Sequence, residues 1–259
     1  MKKSIVLLIA AIFCLSVTSM ALAQERITEL TQLAEKKIAV PKGTLADSFV
    51  LAKFPKAQLV YFEDTQACIE ALRASSVDAV AYDEPVLRSF LRNSTDLAIL
   101  EQLIRKDTYA IAINPKRRDL VELANKKIDV LRQSRRLEQM STYWFPTAGD
   151  FPAMPKQEWN VKGKKELTLA TFPQVVPFSF KGANNAVIGY DIELAGYLAQ
   201  ELGARLVIKE MAFEQLIPSV ANGTADIAAA CITVTPERAK LVHFSEAYYA
   251  GGIAAMVKK

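Results

Sequence analysis

Two residues of opposite charge, Arg238 and Asp83, stand in motifs whose chemistry suits the binding of charged groups. Arg238 closes the run Cys231-Ile-Thr-Val-Thr-Pro-Glu-Arg238. Within it, Thr235-Pro236-Glu237 has the order of a helix start: an N-cap hydroxyl, a proline at the first position and an acid in the first turn. Such a start turns backbone N–H groups and the positive dipole end outward, which suits an anion. The planar guanidinium of Arg238 adds a two-pronged donor for a carboxylate. Asp83 lies in Val80-Ala-Tyr-Asp-Glu-Pro85, where its carboxylate can receive an ammonium group. An aspartate ahead of Pro85 can also cap a helix, and the two roles are compatible. Pro41-Lys42-Gly43-Thr44 offers a close backbone approach and a hydroxyl, although the same residues also spell a plain turn. His243 is the only histidine, and no Ser/His/Asp set with sensible placement accompanies it. One histidine, with the two cysteines that lie beyond residue 23 in separate parts of the chain, does not resemble a metal site. The sequence asks for no cofactor and points to binding rather than catalysis.

The elements that must carry these residues alternate. Ile38–Val40, Leu59–Phe62, Ala79–Tyr82 and Tyr109–Ile113 read as strands. Thr65–Ala74 and, more weakly, Glu84–Leu91 carry apolar residues at helical spacing, and Asp119–Trp144 reads as two helices. The alternation predicts an α/β architecture. Residues 146–164, with three prolines and two glycines, read as a linker. Fully extended, that linker reaches at most ~60 Å, against a radius of gyration of about 17 Å for a body of this size. Ile69–Asp83 also aligns without gaps on Ile217–Cys231, each copy reading as helix, tight turn, aspartate (Asp78, Asp226) and short buried strand. The same offset pairs Leu59–Phe62 with Val207–Glu210. The repeat predicts two lobes of like construction. Their strand ends, at Asp83 and Cys231, then face a common cleft, where open α/β sheets hold ligands.

Residues 165–252 contain KELTLATFPQVVPFSF, GYDIELAGYLAQELG and ANGTADIAAACITVTPERAKLVHFSEAYYAGG. This stretch resembles the first half of the family 3 extracellular solute-binding proteins, which capture amino acids for import. Residues 33–85 resemble that family's second half, which here comes first. The resemblance covers nearly all of the chain after residue 23. It implies a periplasmic-binding-protein type II-like α/β fold, a Venus flytrap of two lobes joined by hinge strands, in circularly permuted order. The division it implies is 1–23 signal peptide, 24–108 lobe 2, 109–145 a return hinge strand with helices packing on lobe 1, 146–164 linker, 165–250 lobe 1, and 251–259 the second hinge strand. Gly251–Val257 is then expected to pair with Tyr109–Ile113, with Gln24 and Lys259 close together beside the hinge.

The resemblance also assigns roles. The residue matching Arg238 binds the ligand's α-carboxylate, and those matching Cys231 and Thr233 help through backbone and hydroxyl. Cys231 departs from the family's usual Gly or Ser. The residue matching Asp83 holds the α-amino group, and the loop carrying Thr44 closes over the carboxylate. The counterparts of Phe172, Val175 and Phe213 line the cleft. Many relatives that bind glutamine or basic amino acids carry Asp where Phe172 stands, so this apolar set argues against a basic side chain unless Glu63 or Asp64 substitutes. The implied function is capture of an amino acid or similar small zwitterion for ABC-type import, by a monomer that is not an enzyme and that delivers to an inner-membrane permease. The alternatives are a ligand-sensing domain of the same fold, or a fragment of a tandem sensor, and less readily a dehydratase or lytic transglycosylase-like enzyme.

Bulk properties fit an exported protein. Lys2 and Lys3 precede an apolar stretch from Ile5 to about Val17, and Ala21-Leu22-Ala23 supplies a small-x-small site, the layout of a signal peptide cleaved after Ala23. The expected compartment is the periplasm. Residues 24–259 carry 30 basic and 28 acidic side chains, a net +2, which gives no sign of a nucleic-acid partner. Cys68 and Cys231 remain, and their placement in different lobes predicts two unpaired thiols.

Overall fold

The computed structural model describes residues 26–155 and 165–259. The expected signal peptide, Gln24 and the later part of the linker lie outside the described residues. The first strands and helices are β1 (Lys37–Pro41), α1 (Ala46–Lys53), β2 (Gln58–Phe62), α2 (Thr65–Arg73), β3 (Ala79–Asp83), α3 (Glu84–Leu91) and β4 (Leu97–Ile99). Every residue of β3 is buried, as befits a strand inside a sheet covered on both faces. β1 pairs parallel with β2 and β3. Asp64 starts α2 by accepting the Ala67 N–H at 2.8 Å, and Cys68, Ile69, Ala71 and Leu72 form its buried face.

Next come β5 (Arg105–Tyr109), β6 (Ala112–Ile113), α4 (Arg118–Gln133) and α5 (Arg136–Trp144). After the linker follow β7 (Glu166–Thr171), β8 (Gln174–Val175), β9 (Ser179–Lys181), β10 (Val187–Ile188), α6 (Tyr190–Leu202) and β11 (Arg205–Glu210). The last are α7 (Leu216–Ala221), β12 (Ile227–Ala228), α8 (Pro236–Ala239), β13 (His243–Phe244) and β14 (Tyr249–Lys258). One sheet has the order β2-β1-β3-β14-β4, with β5 also on β14; a second has the order β11-β7-β12-β6-β13; β10-β9-β8 form a small antiparallel third.

The first sheet therefore takes β14 from the far end of the chain, while the second sheet begins at β6, where the chain leaves β5. β14 enters the first sheet antiparallel to β3, placing Ile253 opposite Asp83. β6 enters the second between β12 and β13, placing Ile113 opposite both Ile227 and His243. The repeat has a structural counterpart. The backbone N–H of Asp78 donates to Lys37 O, and its carboxylate accepts the Lys37 N–H at 2.8 Å. Asp226 does the same with Thr168, also at 2.8 Å. Each aspartate ties the turn before its strand to the neighbouring strand.

The expected single strand Tyr109–Ile113 is instead two. Arg105–Tyr109 pairs with β14, from Tyr249 opposite Tyr109 to Ile253 opposite Arg105. Ala110 and Ile111 cross between sheets, and β6 then takes new partners. The second crossing runs alongside: Ser245 N donates to Ile111 O, and Tyr248 N to Tyr109 O, both at 3.0 Å. β14 also begins two residues before the expected Gly251, because Tyr249 and Ala250 already pair with β5.

The helices α4 and α5 pack on α6, beside the second sheet. Glu193 on α6 is fully buried, and it accepts Arg136 Nη2 at 2.8 Å and Trp144 Nε1 at 2.7 Å. Lys127 on α4 pairs with Glu201 at 2.9 Å. Arg26 and Ile27 share a cavity wall with Lys258 and Lys259. Cys68 and Cys231 are both free thiols and buried.

Candidate functional site

A cleft of about 500 Å³ opens between the two sheets. Lys42, Thr44 and Tyr82 come from the first side, and Phe172, Phe213 and Glu214 from the second. Phe172 and Phe213 meet edge to face, with ring centroids 6.3 Å apart. The Thr44 hydroxyl donates to Pro41 O at 2.9 Å, folding the loop back on itself. Lys42 pairs with Glu63 at the rim, and Asp64 is taken up as the cap of α2. Glu214 is the acid that approaches Gly43 across the gap, its Oε2 3.5 Å from where a side chain there would begin.

Below this cleft lie Asp83 and Arg238. Asp83 precedes α3, yet its side chain makes no capping bond there. Its Oδ1 accepts the hydroxyl of Tyr109 instead, and the residue is only 7% exposed. Burial pushes its carboxyl up to about 7; the Tyr109 hydroxyl and Arg238 pull it down, while Asp107 adds to the rise. Arg238 Nη1 donates to Thr233 O at 3.0 Å, and its guanidinium sits 5.7 Å from the Phe213 ring centre. Burial lowers its pKa, while Asp83 and Asp107 support its charge. Thr235 caps α8 by accepting the Arg238 N–H at 3.2 Å. The helix is a single turn of four residues, so the guanidinium, rather than a helix dipole, supplies most of the positive field.

Cys231 and Thr233 are buried beside Asp83 and Arg238. Cys231 has a φ of 58°, a left-handed conformation that favours glycine. Its backbone N–H donates to Asp191 Oδ2 at 3.0 Å, so the expected backbone contact to a ligand carboxylate is already taken. Burial, then Asp83 and Asp191, push its thiol well above the usual range. Thr233 is buried and bridges to Tyr109. Val175, at the end of β8, is fully buried and is not among the residues that line this cleft. His243 pairs with Ile113 in β13, and Phe178 lies in the core.

Sequence reasoning missed two residues. Asp191 is fully buried at the start of α6 and holds the Cys231 loop in place. In GYD-plus-apolar-run it carried only the signal of a first-turn acid. Tyr109 was legible as a strand residue, but nothing local announced its bond to Asp83.

Residues 167–259 match the model of the bacterial extracellular solute-binding proteins, family 3. Curated relatives include the arginine-binding extracellular protein ArtP of Bacillus subtilis, 36% identical over 97 residues, and the L-cystine-binding protein TcyJ of Escherichia coli, 34% identical over 100 residues. The matched stretch is 38% of this chain and 38% of ArtP, and 39% of this chain and 38% of TcyJ. The chain thus spans less than two fifths of the length of each. Among solved structures, the arginine-bound domain 1 of TmArgBP is 31% identical, covering 38% of this chain and 84% of that one at a TM-score of 0.33. Within the family 3 segment lie Phe172, Val175, Phe213, Cys231, Thr233 and Arg238; Asp83 and Thr44 lie outside it.

Proposed function

We propose that this chain is a periplasmic amino-acid-binding protein whose two halves are joined in circularly permuted order. The observation that carries this reading is the convergence of Asp83 and Arg238. They arrive from opposite sheets, each feels the other's charge, and their hydrogen bonds go to Tyr109 and Thr233 instead. A zwitterion between them satisfies both: its carboxylate takes the guanidinium, and its ammonium takes the aspartate. The cleft above, walled by Phe172 and Phe213, receives the side chain. Closure of the two lobes on the ligand then presents a shape that a membrane permease can read. The protein acts as a monomer, without catalysis.

The permuted order is supported by the entry of β14 into the first sheet and by the packing of α4 and α5 on α6. The nearness of Arg26 to Lys259 and the 146–164 linker also fit. The lobes are then 24–108 with 251–259, and 165–250 with 109–145.

A thermal-shift screen of the twenty amino acids identifies the ligand, since one that binds the folded state alone raises Tm. Calorimetry on Arg238→Ala and Asp83→Ala then tests the clamp. Each change leaves a ligand charge buried without its partner and should weaken binding roughly 30-fold to several thousand-fold. Arg238→Ala should lose discrimination against the amide-capped ligand, and Asp83→Ala against the deaminated one. Near-wild-type affinity in both variants would remove the clamp.

A further inference from the structure

We propose that Tyr109 is the positioning residue for the amine-holding carboxylate: its hydroxyl, carried on the hinge strand, pins one oxygen of Asp83 and leaves the other aimed at the ligand's ammonium. The proposal rests on the amino-acid-binding reading and adds a residue to it.

Tyr109 is fully buried. Its ring stacks on Tyr249, with centroids 5.8 Å apart and planes 6° apart, and meets Phe178 edge-on at 5.6 Å. Between Tyr109 and Asp83 runs β14, paired to β5 through Tyr249 and to β3 through Ile253. The tyrosine ring reaches across this strand over Gly251. A methyl group at Gly251 would lie 2.9 Å from the Tyr109 hydroxyl and 3.0 Å from the ring edge, so the bare glycine is the gap through which the hydroxyl meets Asp83. A buried tyrosine hydroxyl needs an acceptor, and Asp83 Oδ1 is that acceptor.

The groups around Asp83 divide into two sets. Asp107 on β5 opposes its ionisation, as does its own burial; Tyr109 and Arg238 favour it. Tyr82 on β3 and Cys231 after β12 also feel its charge and are themselves pushed up by it. A hydrogen bond to the charged form of a carboxylate favours that form. It also pins one oxygen and leaves the other for an incoming cation. Because Tyr109 ends the strand that leads into the interlobe crossing, any hinge movement carries the donor with it.

The test has two arms. In the ligand-free protein, the Asp83 carboxyl is followed by ¹³C NMR titration, assigned with Asp83→Asn. Tyr109→Phe should move the Asp83 midpoint upward by about one to two pH units. Gly251→Ala, which displaces the ring but keeps the hydroxyl, should move it the same way. In the second arm, calorimetry with the amino acid found by the thermal screen is run at pH 6, 8 and 9. Wild-type Kd should rise about tenfold from pH 8 to pH 6 as the carboxyl takes its proton. Tyr109→Phe should bind about 10- to 100-fold more weakly than wild type at pH 6 and approach it at pH 9. Weakening by the same factor at every pH, or an Asp83 midpoint that stays put, would overturn the role of Tyr109. A wild type that binds none of the twenty amino acids would overturn the amino-acid reading and the ammonium role with it, while the ligand-free titration still decides whether Tyr109 holds Asp83.

Discussion

Replacing Trp144 with phenylalanine should reduce folding stability by about 3 kcal/mol. The indole is fully buried, and its N–H donates at 2.7 Å to Oε2 of Glu193, itself fully buried on α6. Arg136 holds the other oxygen at 2.8 Å and is steadied by the Tyr197 hydroxyl, also at 2.8 Å. A hydrogen bond to a charged group contributes about 1.5–3 kcal/mol. The smaller ring also leaves a void beside Tyr143 and Phe180, whose rings meet the indole edge-on, adding roughly 1 kcal/mol. At 2–4 °C per kcal/mol for a chain of this size, Tm should fall by about 6–12 °C. Urea denaturation followed by far-UV circular dichroism suits the measurement, because the change removes one of only two tryptophans. A double-mutant cycle with Glu193→Gln should give a coupling of at least about 1 kcal/mol. A loss below about 1 kcal/mol, or strictly additive variants, would refute the claim that this buried bond anchors α5 to α6.

The other expectations are as direct. Asp226→Ala removes the acceptor of Thr168 N, Thr168 Oγ1 and Arg117 Nη1 and should cost about 3 kcal/mol in chemical denaturation, with Asp226→Asn costing less. Burial pushes Asp191 up to about 7 from an ordinary 3.8, so the folded state holds a proton that the unfolded chain releases. This contribution to stability is fully present below about pH 4 and is lost as pH rises towards 7, by up to about 1.4 kcal/mol per unit. Asp83 adds a slope of the same sign, and Asp191→Asn should flatten the stability–pH curve measured by denaturation. The Cys231 thiol, buried and pushed well above its usual range, should resist aromatic disulfide reagents at pH 7.5 until the protein is unfolded. A chain rebuilt with 165–259 ahead of 26–145 should fold and bind the same amino acid within about threefold; failure to fold would argue against the permuted order.

Local pattern carried much of this fold. Ala79–Tyr82 is apolar throughout, and the apolar residues of α2 recur at helical spacing, so both elements are visible in sequence, whereas the cap that Asp64 supplies to α2 was read only as a possible specificity acid. The matched aspartates Asp78 and Asp226 marked equivalent turns because each turn needs the same backbone tie. What escaped is set by partners distant in sequence. Tyr109–Ile113 is apolar enough for one strand, but the change of partners at Ala110 breaks it in two. Val175 occupies a position that the resemblance assigned to the cleft, whereas its complete burial is a property of the folded chain. Cys231 was legible as an unusual residue, whereas its left-handed backbone and its bond to Asp191, 40 positions away, are properties of the folded loop. Asp83 offered both a cap and a ligand contact; its bond to Tyr109, made across another strand, removes the cap.

The position of β14 has a consequence for how the protein is made. The second sheet draws all its strands from 112–244, an unbroken stretch, while the first sheet needs β14 inserted between β3 and β4. During synthesis, β1 to β4 leave the ribosome about 150 residues before Tyr249 does, with the facing edges of β3 and β4 unpaired. Open edges of apolar strands invite pairing with other chains, and contacts so distant in sequence form slowly. The first sheet therefore stays incomplete until β14, the last strand of the chain, is available to pair with β3 and β4.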